Sequence, residues 1–177
     1  TGLADIMVCA LGAAFLMILT GCLQLRDAYR SLQGNVLVLI VGAIALGTAM
    51  EKTGTAQYYA EGFLGLFGGA DPEIILAGIL LLTSISTQIL SNNATAVLLV
   101  PIAISTALSL GVDPKPFIIA VCFGASACFA TPIGYQTNLL VYGPGGYRFS
   151  DYLKLGMPLN LLVLILGTLF IPVLWPF

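Results

Sequence analysis

The stretch Ser91-Asn92-Asn93-Ala94-Thr95 lies in the middle of a run, Ile74–Val112, that contains no charged residue, and Pro101 follows closely. In lipid, every backbone N–H and C=O group must find a partner within the protein or in a water-filled cavity. A break rich in amides and hydroxyls at membrane depth is therefore tolerated mainly where it lines a binding site. The stretch predicts a solute-handling site inside a membrane.

The composition around this stretch is that of an integral membrane protein. The chain has 177 residues, of which 59% are hydrophobic and 8% are charged, whereas soluble domains contain roughly 25% charged residues. The mean hydropathy is +1.04. Charge-free runs close to or above the ~20 residues that cross a bilayer occur at Ile6–Leu23, Ser31–Met50, Ile74–Val112, Pro116–Tyr147 and Leu155–Phe177. We therefore expect an all-α, polytopic membrane protein embedded in a lipid bilayer.

Charge and cysteine patterns exclude several classes of protein. The net charge is −2 and the basic residues are scattered over loops, so no nucleic-acid partner is expected. The chain has no His and its cysteines show no C-x-x-C spacing, which argues against a zinc site or a redox pair. Because the opening residues Thr1–Asp5 lack an initiator Met and the features of a signal peptide, we expect the sequence to begin inside a longer protein.

Local signals divide the chain into two segments, residues 1–70 and residues 71–177. The first segment is expected to hold two transmembrane helices and, after Gly54, an amphipathic helix with Gln57 and Glu61 on its polar face. A helix of this kind lies in the membrane interface. The second segment is expected to hold a re-entrant helical hairpin at 73–110, a broken helix at 116–142 and a last helix at 154–176.

The hairpin has two possible arrangements. Its arms, Ile74–Leu90 and Thr95–Leu110, are about 25 Å long at 1.5 Å per residue, slightly short for a full crossing. A re-entrant hairpin and two tilted spans both fit this length.

A second polar break lies at Ala130–Asn138, with the sequence ATPIGYQTN. Pro132 and Gly134 are expected to interrupt the helix there. A short half-helix is expected to follow, capped by Thr137 or Asn138.

Basic residues predict the orientation in the membrane. They fall on opposite sides of the expected topology, with Arg26, Arg30, Arg148 and Lys154 on one side and Lys52 and Lys115 on the other. By the positive-inside tendency, the four-residue side is cytoplasmic. The hairpin therefore enters from outside.

The two breaks carry the groups that a transporter site needs. Backbone carbonyls freed at Ser91-Asn92-Asn93 suit a dehydrated sodium ion, and the N-terminus of the following helix suits an anion. Neither break contains Asp, Glu, His, Lys or Arg, so proton coupling has no relay and Ser91 has no base to activate it for catalysis. Two unwound segments at mid-membrane are typical of a secondary transporter and not of an enzyme.

These motifs resemble those of the carboxy-terminal half of the divalent-anion:sodium symporter family, within the ion transporter superfamily. The resemblance rests on Leu90–Val97 (LSNNATAV) followed by Pro101–Ala103, and on Ala130–Asn138 followed by Tyr142-Gly143. It covers nearly the whole chain.

The resemblance implies a homodimeric, elevator-type symporter of the inner cell membrane, built from two inverted repeats. One repeat is present here, and an amino-terminal repeat is missing. Residues 1–70 would belong to the scaffold and residues 71–177 to the moving transport domain.

The resemblance also implies a set of site residues. A sodium ion would be bound by Thr87, Ser91, Asn92 and the carbonyl of Ala130. A small anionic substrate would be faced by Asn92, Asn93, Thr131 and Pro132, with Thr137 and Asn138 as secondary candidates.

Two features of the motifs that vary within the family bear on the substrate. The third tip residue is usually Thr and here is Asn93, which reaches further. The version of the second motif at Gly134–Asn138 resembles members associated with sulfate-like inorganic anions more than dicarboxylate members. Two alternatives stand beside sodium-coupled symport: an arsenite-type or sodium/proton antiporter of the same superfamily, and a non-transporting membrane scaffold in which the polar tips only pack.

Overall fold

The computed structural model describes residues 6–32, 34–67 and 69–177, so the predicted internal start at Thr1–Asp5 lies outside the described residues. Within these ranges the regular secondary structure is entirely helical. The helices are α1 Ile6–Leu19, α2 Leu25–Ser31, α3 Gly34–Lys52, α4 Thr55–Phe67, α5 Pro72–Ser86, α6 Asn92–Leu110, α7 Lys115–Ser126, α8 Gln136–Tyr142 and α9 Phe149–Leu174. The predicted all-α class is confirmed.

Several of these helices suit a membrane. By length and composition, α6 and α9 are each able to cross a bilayer, and the pair Leu37–Lys52 and Thr55–Phe67, bent by 75°, adds a third span if it is taken as one. Helices α1, α5 and α7 are apolar but shorter. The polytopic class is therefore confirmed for the described residues, and the sharp turn between α3 and α4 is compatible with an interfacial α4.

The chain divides into two compact units, one ending at Val38 and one spanning Leu39–Phe177. In the first unit, α1 and α2 bury no side chain. Helix α1 ends before the apolar run does, at Leu19, because Gly21 turns the chain with a φ of 74°. The amide of Leu23 then bonds the carbonyl of Met17 at 3.1 Å, which closes the helix end.

The second unit is organised around α5, α6 and α7. Helix α7 packs against both α5 and α6, while α9 packs against α5 and α7, and α4 covers α6. The shared apolar core takes side chains from four helices: Ile75, Leu76, Ile79, Leu80, Leu99, Ala103, Ala107, Phe117, Ala120, Val121 and Ile171. This core holds the α5–α6 hairpin against α7.

The hairpin turn is longer than the sequence indicated. Helix α5 ends at Ser86, where the sequence predicted an arm reaching Leu90, because the amides of Gln88 and Ile89 bond the carbonyls three residues earlier, of Ile85 and Ser86, both at 3.1 Å, and the last turn tightens. Helix α6 begins at Asn92 and not at Thr95, since the hydroxyl of Ser91 accepts the amide of Ala94 at 3.3 Å and caps the helix. The first break is thus centred on residues 87–91.

The broken helix and the last helix also have shifted bounds. Helix α8 begins at Gln136, and its N-cap residue Tyr135 makes no side-chain cap bond, so capping by Thr137 or Asn138 is not observed. Helix α9 begins at Phe149, five residues before the expected 154, because Asp151 Oδ2 accepts the backbone amide of Arg148 at 2.8 Å.

Candidate functional site

Three helix ends meet at the first break. Helices α5 and α6 form the hairpin, and α7 runs back beside α6 after the short connection 111–114. The C-terminal ends of α5 and α7 and the N-terminal end of α6 therefore lie at the same end of the core. Carbonyls and partial negative charge at the C-terminal ends favour a cation, whereas amides and partial positive charge at the N-terminal end favour an anion.

Thr87 and Asn92 form the centre of this region. Thr87 is fully buried and its hydroxyl donates to the carbonyl of Ala125 at 2.8 Å. The side-chain amide of Asn92 lies 2.9 Å from Thr87 Oγ1, 3.1 Å from the carbonyl oxygen of Gly134 and 3.2 Å from that of Ala125. The first break is thereby joined to the end of α7 and to the second break.

The orientation of the Asn92 amide decides what this cluster binds. With Nδ2 facing the three oxygens, the amide donates hydrogen bonds to the carbonyls of Gly134 and Ala125. With Oδ1 facing them, only the hydroxyl of Thr87 has a proton to donate to it. We favour the first orientation for the protein alone, because it satisfies both ends of the amide. A rotation of 180° would instead place Oδ1 within 2.9–3.2 Å of these three oxygens, and a cation bound beside such a group of neutral oxygens would relieve their mutual repulsion.

Gln88 ties the first break to the second. Its Nε2 donates to the carbonyls of Ser84 at 2.9 Å and Ala127 at 2.7 Å. Its Oε1 accepts the amide of Ala130 at 3.2 Å, and its own carbonyl accepts the hydroxyl of Thr131 at 2.8 Å. Two of the residues predicted for the site in the second break, Ala130 and Thr131, are bonded to this one residue.

Side-chain amides form hydrogen bonds with the backbone throughout residues 127–131. In addition to the bonds of Gln88, Asn138 Nδ2 donates to the carbonyls of Cys128 at 2.9 Å and Thr131 at 3.1 Å, and Asn160 Oδ1 accepts the amide of Phe129 at 3.4 Å. Each residue of this non-helical segment therefore has one backbone group bonded to an amide side chain. Asn138, a secondary site candidate, thus has a role in the shape of the break.

Helix α9 supports the second break from the other side. Gly156 is buried against it, and a Cβ at this position would overlap the carbonyl of Phe129 and lie 2.5 Å from the Cα of Ala130. The hydroxyl of Tyr152 donates to the carbonyl of Asn138 at 2.8 Å. Only glycine permits this close approach of the two backbones.

The predicted site residues fall into distinct surroundings. Thr87 and Asn92 are in direct contact. Ala130 is buried and makes no hydrogen bond to either of them, but its amide donates to the side chain of Gln88, the residue next to Thr87. The remaining candidates sort by exposure, with Thr131 half-buried, Pro132 buried, and Ser91, Asn93 and Thr137 exposed. Ser91 caps α6. Their roles as ion or substrate ligands stay predictions.

Four contributors were missed by the reading of the sequence. Gln88 lies next to Thr87 in a run without charged residues, and this position is the signal that could have found it. The carbonyls of Ala125 and Gly134 have no side-chain signature. Asn160 was the amide residue of the last apolar run, where such a group needs a partner.

Comparison with known proteins gives consistent matches over the whole chain. A sequence model described as Citrate transporter matches residues 1–176. The chain is 45% identical over 147 residues to an uncharacterized transporter of Synechocystis sp., covering 83% of this chain and 24% of that protein. It is 39% identical over 170 residues to the uncharacterized transporter YfbS of Escherichia coli, covering 96% and 28%. It is 33% identical over 160 residues to sodium/sulfate cotransporter 1 of Chlamydomonas reinhardtii, covering 90% and 18%. The chain spans about a quarter of the length of the first two relatives.

These matches confirm the family resemblance that the two polar breaks indicated in the sequence.

Proposed function

The chain belongs to the citrate transporter family of the ion transporter superfamily, whose members are transporters and not enzymes, and we propose that it contributes to a sodium-coupled symporter for a divalent anion. The observation that carries the proposal is the meeting of two helix C-termini and one helix N-terminus around Thr87 and Asn92. This arrangement provides adjacent places for a cation and an anion. Neutral oxygens and helix ends bind sodium in this way in secondary transporters with broken helices.

The sodium ion is proposed to bind at the oxygen cluster. Thr87 Oγ1, Asn92 Oδ1 after rotation of its amide, and the carbonyls of Ala125 and Gly134 are the ligands that the contacts support. Ser91 and the carbonyl of Ala130, implied by the family resemblance, complete the proposed set. All of these ligands are uncharged, so binding needs no proton release.

The anion is proposed to bind at the N-terminus of α6. The helix is 19 residues long, so its dipole is fully developed at Asn92 and Asn93. Asn93 is exposed, and Thr131 lies half-buried in the second break, both able to donate hydrogen bonds. Pro132 is proposed to form an apolar wall.

We propose a sulfate-like inorganic anion as the substrate, with a dicarboxylate as the alternative. Support for sulfate comes from the similarity to the Chlamydomonas sodium/sulfate cotransporters. The family description names citrate, which supports a carboxylate. Both substrates are divalent or more highly charged oxyanions, so the same helix end suits either.

The wider architecture is proposed from the family. Residues 1–70 act as scaffold and residues 71–177 as the moving domain of an elevator, an amino-terminal repeat completes the binding site, and two copies form a homodimer in the inner cell membrane. The relatives are about four times as long as the matched segment, which leaves room for a further repeat.

The test is uptake by the complete transporter reconstituted in liposomes. We expect an inward sodium gradient to accelerate uptake of radioactive sulfate, or of succinate, over potassium or choline gradients. Asn92→Ala should lower sodium-driven uptake at least about tenfold, the size expected when a bond to an ion is lost. Gln57→Ala is the control, because this amide is exposed and its bond among the described residues is to the neighbouring Glu61.

Two results would contradict symport. Equal uptake in sodium and in choline, for every anion tested, would show that transport is not coupled to sodium. Stimulation by a proton gradient, with export of sodium, would favour the antiporter alternative.

A further inference from the structure

Thr95 has a buried hydroxyl without a hydrogen-bond partner. Its side chain is 0% exposed, and its Oγ1 is the buried side-chain oxygen for which no partner exists among the described residues. A buried hydroxyl that bonds to nothing is costly, and buried polar atoms in native proteins are nearly always paired with protein, water or an ion. This oxygen therefore needs a partner of its own.

Other hydroxyls in these helices find a hydrogen-bond partner within their own helix. They donate to the carbonyl four residues earlier, as Thr83 does to Ile79 at 2.6 Å, Thr106 to Ile102 at 2.8 Å, Ser126 to Cys122 at 2.9 Å and Thr168 to Leu164 at 2.8 Å. Thr95 stands in the first turn of α6, where the residue four positions earlier is the N-cap Ser91. The carbonyl of Ser91 accepts the backbone amide of Thr95 at 2.9 Å, but the hydroxyl does not bond to it.

The position of Thr95 in α6 places it beneath the oxygen cluster. It heads the buried stripe that continues through Leu99, Ala103 and Ala107, and this stripe packs in the core shared with α5 and α7. Asn92 lies three residues earlier on the same face of the helix. Since the amide of Asn92 contacts the end of α5 and the end of α7, the helical spacing puts Thr95 one turn further into the core, on the face of α6 that packs against these two helices.

We propose that Thr95 Oγ1 is a further ligand of the sodium ion, lying on the core side of the cluster formed by Thr87, Asn92, Ala125 and Gly134. The assignment rests on the proposed sodium coupling. The hydroxyl offers its lone pairs to the cation and so gains the partner that it lacks within the protein. Residues at the tip approach the ion from the outer side, and Thr95 closes the side that faces the apolar core.

Two substitutions at this position separate a ligand from a packing residue. Thr95→Val removes the hydroxyl and keeps the shape, whereas Thr95→Ser keeps the hydroxyl and removes the methyl group. Thr106→Val is the matched control, because Thr106 is on the same helix, is also 0% exposed and has its hydroxyl bonded to the carbonyl of Ile102.

The sodium concentration for half-maximal anion uptake is the first measurement. For Thr95→Val we expect an increase of about tenfold, the effect of losing one bond to a charged group. For Thr95→Ser and Thr106→Val we expect the wild-type value within about threefold, since each keeps every proposed ligand.

Thermal unfolding of the purified transporter in sodium and in choline is the second measurement. A ligand bound only by the folded state raises the melting temperature, and we expect Thr95→Val to lose most of the sodium-dependent rise. If Thr95 only packs, removal of its unpaired hydroxyl leaves the sodium response of uptake and melting unchanged, and the proposal is overturned. A wild-type transporter that ignores sodium in both measurements instead contradicts the proposed function, so the two failures are distinguishable.

Discussion

At the scale of single residues, three amide side chains replace the helical hydrogen bonds that the second break has lost. Gln88 forms hydrogen bonds with the backbone of Ala127 and Ala130. Asn138 does so with Cys128 and Thr131, and Asn160 with Phe129. An amide both donates and accepts, so it can pair with either kind of backbone group without carrying charge into the membrane. Gln88 is the one that reaches across from the first break.

Replacement of Gln88 by Leu should therefore destabilise the protein. The change removes the bond that Gln88 gives to the amide of Ala130 and leaves the carbonyl of Ala127 with only the long 3.4 Å bond from the hydroxyl of Ser84, at a cost of about 1–3 kcal/mol. Gln88→Glu keeps an acceptor for Ala130 but loses both donated bonds, so we expect it to be no better. Thermal unfolding in detergent measures the effect.

The control for Gln88 is Gln57→Leu in α4, where the amide is exposed and, within the part of the chain that the structure describes, bonds to Glu61 alone. Equal melting temperatures for the two Leu variants would show that Gln88 does not hold the breaks together.

The sequence predicted the residues at the centre of the site, but it did not predict the residues whose hydrogen bonds hold that centre in place. Thr87 and Asn92 were singled out because they lie at a polar break in an apolar run, and the structure brings them into contact. Gln88 and Asn160 act through tertiary contacts with residues more than thirty positions away. No local pattern encodes such pairs, and the backbone carbonyls of Ala125 and Gly134 carry no signal in the identity of their side chains.

At the scale of helices, α9 positions the second break by direct contact of backbones. Gly156 allows the approach, and the hydroxyl of Tyr152 fastens the first turn of α8 to the same helix. A displacement of α9 is therefore transmitted to Ala130, the proposed carbonyl ligand, without an intervening side chain.

Gly156→Ala should separate α9 from the second break. The added methyl group meets backbone atoms of Phe129 and Ala130, which cannot rotate away, so we expect a loss of about 1–3 kcal/mol in stability and a weaker sodium response of uptake. Unfolding and sodium titration of uptake are the measurements.

Gly167→Ala on the same helix is the control for steric change alone. Its Cβ would lie 2.7 Å from Cδ2 of Leu80, which is the end of a side chain and can shift more readily than backbone atoms. If Gly156→Ala is tolerated as well as Gly167→Ala, the backbone contact has no special role.

The order and type of the helices were predictable, but several of their ends were not. Hydrophobic runs located the hairpin and the broken helix because apolar length and polar breaks are local features. The ends of α5 and α9 shifted because the carbonyl of Ser86 and the carboxylate of Asp151 make short-range bonds that apolar periodicity does not register.

At the scale of the whole molecule, the unequal distribution of basic residues predicts how the chain lies in the membrane. Arg148 and Lys154 flank the start of α9, whereas Lys115 begins α7 at the opposite end of the hairpin core. The positive-inside tendency then places the α8–α9 connection in the cytoplasm and the α6–α7 connection outside.

Single cysteines test this orientation. In a transporter whose native cysteines are replaced by Ala, Lys115→Cys should react with a membrane-impermeant maleimide on intact cells, and Gly143→Cys only after permeabilisation. Both positions are exposed, and a Cβ at Gly143 meets no other atom within 4 Å. The reverse pattern of labelling would invert the topology and place the hairpin entrance on the cytoplasmic side.

The neutrality of the cluster at Thr87 and Asn92 has a consequence for acidity and for electrical charge. Hydroxyl, amide and carbonyl groups do not titrate in the physiological range, so on the proposed function this cluster adds no pH dependence of its own to uptake, and the ionisation of the cargo remains. Sulfate uptake should then be flat near neutrality, while a carboxylate substrate would follow its own protonation. The cluster also adds no fixed charge that would offset the cargo, so on the proposed function the charge that it contributes to the voltage dependence of transport is that of the bound ions themselves.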